Sequence, residues 1–153
     1  MANRIWIYQS IRPLTAVEIE KVSKEANDFT QSWVSHATPL TANAKVLHER
    51  FLILSVDETA YKASGCSIDK SLRFVVQLQE KIKTDFLNRL NFTYYDADNN
   101  LQTIDSESFR ELYKKKQIND NTIVFDTLLS KDTDFDKLFA TKLGDSWHKR
   151  MVK

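Results

Sequence analysis

Two glycines and two prolines serve all 153 residues, and this scarcity constrains the fold from the outset. Glycine reaches backbone conformations closed to other residues, and both residue types punctuate helices and strands. With so few, flexible linkers and glycine-lined ligand loops are excluded as organising features. No repeat, low-complexity stretch or change of composition marks a boundary. The chain reads as a single domain over residues 1–153, with a core over about 4–104 and a C-terminal extension over about 105–153.

The apolar pattern spells six elements in the core. "RIWIYQS" alternates Ile5 and Ile7 with Trp6 and Tyr8 and reads as a strand buried on both faces. "RPLTAVE" opens a helix, with Thr15 and Glu18 at capping-box spacing and Leu14 and Ile19 placed as a hydrophobic staple. Ile19, Val22, Ala26, Phe29 and Trp33 recur at steps of three and four, the spacing of one helix face. That helix is expected to end near His36, ahead of Pro39. "ANAKVLHE" and "RFLILSVDE" read as two strands joined tightly around Glu49, the second apolar enough to be central. Ile68, Leu72, Val75, Ile82 and Phe86 mark a second helix to about Asn88. "LNFTYYD" and "NLQTI" flank the turn sequence "ADNN" as a hairpin.

This order is that of a ferredoxin-like split βαβ sandwich. The expected fold is α+β: a ferredoxin-like βαββαβ core with a mixed or antiparallel sheet, an added hairpin strand and a mainly helical C-terminal extension. In the extension, Asp105 caps a helix from about Ser106 that buries Phe109, Leu112 and Tyr113. "NTIVFDT" is a further strand, and "TDFDKLFATKLG" a short last helix capped by Thr133 and stopped by Gly144.

Charge directs the chain toward no particular partner. There are 22 basic and 21 acidic residues, so nothing global favours nucleic acid, a membrane surface or an acidic substrate. The lone Cys66 cannot form an internal disulfide, which fits a reducing compartment. The opening "MANRIWIYQS" lacks an apolar leader, and runs such as "FLIL" are too short to cross a bilayer. A soluble, bacterial-type cytoplasmic protein is the expectation.

The stretch "ASGCSIDKS", residues 63–71, carries the most chemical suggestion. A phosphate loop reads G-x-x-x-x-G-K-[ST], because backbone N–H groups must wrap the phosphates. Aligned on Lys70 and Ser71, this chain has Ser64 and Asp69 at the two glycine positions, and the Asp69 carboxylate repels a phosphate. Cys66 lies at a helix start, where a thiol can be activated, with His36 or His48 as the available base and Asp57 to orient it. The same turn suits an anion: Ser64, Gly65 and Ser67 with helix-start N–H groups, Lys70 or Arg73 assisting. The simpler account is that a serine caps the helix and Gly65 relieves a turn.

Other patterns resolve the same way. Asp96, Asp98, Asn100 and Glu107 match part of a calcium-loop spacing, but Leu101 stands where glycine is needed, so a polar hairpin tip is expected. His36, His48 and His148 share no metal-ligand spacing and read as surface or capping residues, so no metal and no cofactor is expected. "RFLILSVD" lacks the spaced aromatics that stack on RNA bases. "YKKK" and "WHKR" read as solvated helix faces, and Trp6, Trp33 and Trp147 as core or core-edge anchors.

The run of "RIWIYQS", Trp33 with His36, "RFLILSVDE" and "SGCSIDKS" followed by "RF" resembles a family of small bacterial proteins of about this length. Some members carry the label "ABC transporter ATPase", and through it the resemblance implies nucleotide binding. The residues themselves favour a non-enzymatic module that binds a protein partner or small ligand. A homodimer is left open, and neither nucleic acid nor a membrane is expected. Its ligand site is expected where Asp57 and Glu58 end the central strand, facing Ser64, Gly65, Ser67, Lys70 and Arg73. The alternative is a thiol-dependent enzyme using Cys66, His36 and Asp57; ATP hydrolysis is the remote one.

Overall fold

The structure, a computed structural model, describes residues 3–153. Met1 and Ala2, which open the stretch read as lacking a leader, lie outside it. The chain gathers into two compact units: residues 1–87 with 128–133, and residues 88–127 with 134–153. The strands after residue 88, grouped with the core in the sequence reading, belong with the C-terminal residues.

In the first unit β1 (Arg4–Gln9) leads to α1 (Ala16–Ser32). Both halves of the capping box form: the Thr15 hydroxyl accepts from the Glu18 N–H at 3.2 Å, and the Thr15 N–H donates to the Glu18 carboxylate at 2.9 Å. The helix stops four residues short of His36. Trp33 is extended, and β2 (Val34–Ser35) and β3 (Thr38–Pro39) form a small hairpin around His36 and Ala37, both at positive φ. The chain continues through β4 (Thr41–Leu47) and β5 (Phe51–Asp57) to α2 (Gly65–Ile82).

These strands make an antiparallel sheet of order β1-β5-β4, with β5 central as its apolar sequence requires. Leu52, Leu54 and Val56 of β5 pack with Val22, Ala26 and Trp33 of α1 and Val75, Leu78 and Ile82 of α2. Full burial of each such side chain stabilises by roughly 1.5–3 kcal/mol relative to exposure. The buried stripe of α2 differs from expectation: it is Ser67, Ser71, Val75, Leu78 and Ile82, whereas Ile68 is half-buried, Leu72 stands 45% exposed, and Phe86, though buried, lies beyond the helix. Two serines lie on the packed face because the Trp33 indole comes so close that its Nε1–H donates to the Ser67 carbonyl at 2.8 Å. The helix ends at Ile82, well before Asn88, because Lys83 turns left-handed with its N–H on the Gln79 carbonyl.

The second unit is built on the hairpin of β6 (Asn91–Tyr95) and β7 (Leu101–Asp105). Asp105 caps α3 (Ser106–Lys114) by accepting from the Ser108 N–H at 2.8 Å, as its sequence position predicts. Then come β8 (Ile123–Phe125), α4 (Asp132–Leu138), β9 (Ala140–Lys142), a 3-10 turn at Leu143–Asp145, and α5 (His148–Met151). Contrary to the expected last helix, Thr133 lies inside α4 rather than capping it, and Gly144 falls after a further strand. The sheet order is β7-β6-β8-β9, and Phe92, Tyr94, Phe109, Ile118, Val124, Leu143 and Val152 form its core.

The fold is thus α+β with antiparallel sheets, but the six-element sandwich is not completed. The strand expected as its fourth, β6, pairs with β7 and β8 instead. Closing a five-residue turn to β7 costs far less chain entropy than returning to β1. The outer edge of β1 is met by residues 130–132: the Ile5 N–H donates to the Ser130 carbonyl at 2.9 Å, and Asp132 donates its N–H to the Asn3 carbonyl at 3.0 Å. Among the described residues no helix is long and apolar enough to cross a membrane.

Candidate functional site

The stretch from Ser64 to Ser71 is a cap and a helix, with no loop between strand and helix that wraps a phosphate. Ser64 is the N-cap, and its hydroxyl accepts from the Ser67 N–H at 3.1 Å. The Ser67 hydroxyl accepts in turn from the Ser64 N–H at 2.6 Å and donates to the Ser64 carbonyl at 2.8 Å. Serine thus fills the place usually held by Glu or Gln in a capping box. A Cβ at Gly65 would meet nothing within 4 Å, and no glycine has positive φ, so this residue relieves no strained turn.

Asp57 and Glu58 serve the loop before this helix. The Asp57 carboxylate accepts from both the hydroxyl and the N–H of Thr59, which hold it below its ordinary pKa. Glu58 accepts from the Ala63 N–H at 2.8 Å, bending the loop back on itself. Cys66 is exposed. His36 sits in the β2–β3 turn, also exposed. Among the described residues no hydrogen bond joins Cys66, His36 and Asp57 to one another, and Asp57 accepts from Thr59 instead.

Two expected ligand residues do face a concavity. Lys70 and Arg73 line a groove of about 320 Å³ between α1 and α2, together with Phe29, Trp33, Phe74 and Gln77. Phe29 and Phe74 stack at 4.5 Å with planes 7° apart, and Phe29 meets Trp33 at 5.1 Å. Such ring pairs contribute roughly 0.5–1.5 kcal/mol beyond the area they bury. Phe29 and Phe74 are only half-buried, so the aromatic seam reaches the surface. Arg73 pairs with Asp69 one turn earlier at 3.0 Å, an exposed contact that leaves the guanidinium available. Lys70 makes no hydrogen bond or ion pair among the described residues.

Sequence reasoning placed Phe29 and Trp33 on the helix face toward the core and passed over Phe74 and Gln77. The signal for Phe74 was its phase: it follows Lys70 by one turn and adjoins Arg73, so an aromatic and two cations share one side of α2.

The calcium-like spacing is a hairpin tip, as expected. Asp96 accepts from the N–H groups of Asp98 and Asn100 and from the Gln102 amide, each at 2.9 Å, and these bonds lower its pKa. No cluster of metal-ligating side chains occurs among the described residues. The histidines divide: His36 and His48 are exposed, but His148, expected at the surface, is 1% exposed. It stacks on Trp147 at 3.8 Å and shares a 2.7 Å hydrogen bond between its Nδ1 and the Ser146 hydroxyl. No protein-family model, curated protein or solved structure matches the chain.

Proposed function

We propose that this chain is a non-enzymatic binding module that docks an acidic segment of a protein partner in the α1–α2 groove. In this reading the first unit is a ferredoxin-like sandwich lacking its fourth strand, working in the reducing cytoplasm. The observation that carries it is the half-buried Phe29–Phe74 stack flanked by Lys70 and Arg73. An apolar side chain entering the seam gains burial, while the two cations beside it favour a carboxylate on the next turn of the partner. Catalysis by Cys66 is left out of this reading, because among the described residues no base is hydrogen-bonded to the thiol. Nucleotide binding is left out because residues 65–71 are already helical.

The probe is a short peptide in which one leucine is flanked by glutamates, titrated by calorimetry at low and high salt. Binding is expected to weaken with salt and to fall at least tenfold in Lys70→Glu/Arg73→Glu. Equal binding by that variant, or by a peptide with lysines in place of the glutamates, overturns the proposal.

A further inference from the structure

We infer that the second unit holds a separate binding site for a neutral, hydroxyl-rich ligand of the monosaccharide class, in the cleft between the β6–β7 turn and the segment joining α3 to β8. The cleft is about 570 Å³, which lies in the range of small-ligand sites. All its lining residues belong to the second unit, and none is a lysine, arginine or histidine. Tyr94 of β6 marks it as a site. That residue is 6% exposed, yet its hydroxyl has no hydrogen-bond partner among the described residues. Nor is the oxygen sealed in: among the described residues no fully buried side-chain polar atom lacks a partner, so it meets the open space of the cleft that Tyr94 lines. A hydroxyl carried this deep without a partner is left for one that arrives with a ligand.

The neighbouring polar groups are held by hydrogen bonds, and the capacity they have left sets the chemistry of the ligand. The Asp96 carboxylate accepts from the N–H groups of Asp98 and Asn100 and from the Gln102 amide, each at 2.9 Å. A carboxylate offers about four lone-pair sites, so one remains. Asn119 Oδ1 accepts from the Asn121 N–H at 2.8 Å, which orients the amide and leaves its NH2 without a partner among the described residues. The Thr122 hydroxyl accepts from the Asn119 N–H at 2.9 Å and keeps its proton to donate. Burial, and then the Asp96 charge, push the Tyr94 hydroxyl above its ordinary pKa, so it too is a donor at neutral pH. Donors with a spare acceptor, all on fixed groups, suit neither kind of ion: an anion meets the Asp96 carboxylate, and a cation meets the donors. Adjacent hydroxyls on a sugar ring, each able to donate and accept, satisfy both kinds of group. The half-buried Leu112 supplies apolar surface for the C–H side of such a ring.

The test titrates the full chain in turn with glucose, galactose, mannose and N-acetylglucosamine, read by the amide signals of Asn119 and Thr122 in nitrogen-correlated spectra. Expected is saturable movement of both signals with at least one sugar. Tyr94→Phe should weaken that binding about tenfold, the worth of one hydrogen bond, without lowering the urea midpoint, since the hydroxyl bonds nothing among the described residues. Asn119→Asp, which keeps the acceptor for the Asn121 N–H and removes the amide donor, should weaken it as well. The Lys70→Glu/Arg73→Glu variant should bind the sugar as the unaltered chain does, which keeps this cleft distinct from the peptide groove. No saturable movement with any of the four at tens of millimolar overturns the inference, and so does undiminished affinity in Tyr94→Phe. Putrescine or inorganic phosphate displacing the sugar at equal concentration also overturns it, since an ion site would then account for the cleft.

Discussion

At the scale of single residues, the left-handed positions are filled without glycine. His36, Ala37, His48, Glu49, Lys83, Asn99 and Lys116 all have positive φ, whereas neither glycine does. A residue with a Cβ loses roughly 1–2 kcal/mol in that region, part of which glycine's greater unfolded-state freedom cancels. Ala37 is exposed at the second position of the β2–β3 turn, with no packing to lose. Ala37→Gly should therefore raise unfolding stability by about 0.5–1 kcal/mol, measured by urea denaturation. His148 has the opposite character, since burial alone pushes its imidazole down to about 4. Between pH 6.5 and 4 the unfolded chain takes up a proton that the native state refuses, so stability falls as pH drops through that window. The loss reaches ~3 kcal/mol by the lower end. The capping and turn carboxylates lowered by their hydrogen bonds, Glu18 and Asp96 among them, titrate at the lower, acid end. Denaturation curves at pH 7 and pH 4.5 should show the drop, and His148→Gln should lose most of it. An equal drop in that variant would assign the effect elsewhere.

At the scale of elements, α1 and α2 show what a linear sequence carries and what it withholds. The Thr15–Glu18 box, the Asp105 cap, the alternation of β1 and the apolar run of β5 depend on neighbours a few residues away, and all form as read. The end of α1 depends on Trp33, which leaves the helix to reach the Ser67 carbonyl, 34 residues on. Ser67 and Ser71 take the packed face in place of Leu72 with their hydroxyls already satisfied locally, Ser67 by Ser64 and Ser71 by the Ile68 carbonyl, so small residues let α1 come close. Of the candidate site, Lys70 and Arg73 were legible as cations on one side of a helix. The aromatic seam was not, because Phe29 and Phe74 come from different helices. Trp33→Phe removes the indole donor and leaves a smaller ring in the core, while the Ser67 carbonyl keeps its bond within α2. It should cost about 1–3 kcal/mol from one lost hydrogen bond and the space left behind, seen as a lower urea midpoint with unchanged slope.

At the scale of the whole molecule, neither compact unit is one continuous stretch of chain. Residues 88–127 leave the first unit, residues 128–133 return to it, and the remainder belongs to the second. The expected sandwich fails for this reason: the edge of β1 that a fourth strand would cover is met by residues 130–132 instead. A fragment of residues 1–87 contains both helices and all three strands of the first sheet, yet lacks that cover. Exposed strand edges recruit one another. Sedimentation of this fragment should show concentration-dependent association where the full chain gives a single species, and a monomeric fragment would contradict the role given to residues 130–132.

That returning segment also sets an order in time. The outer edge of β1 is bonded to residues made more than 120 positions after it. Domains commonly fold as they emerge, beginning at the N-terminus. Here β1 must wait, its edge bare, until residues 130–132 have been made. A nascent chain stalled before residue 128 would present that edge to whatever else is being made nearby, so the interval between the two segments is a period of exposure that a chaperone is suited to cover.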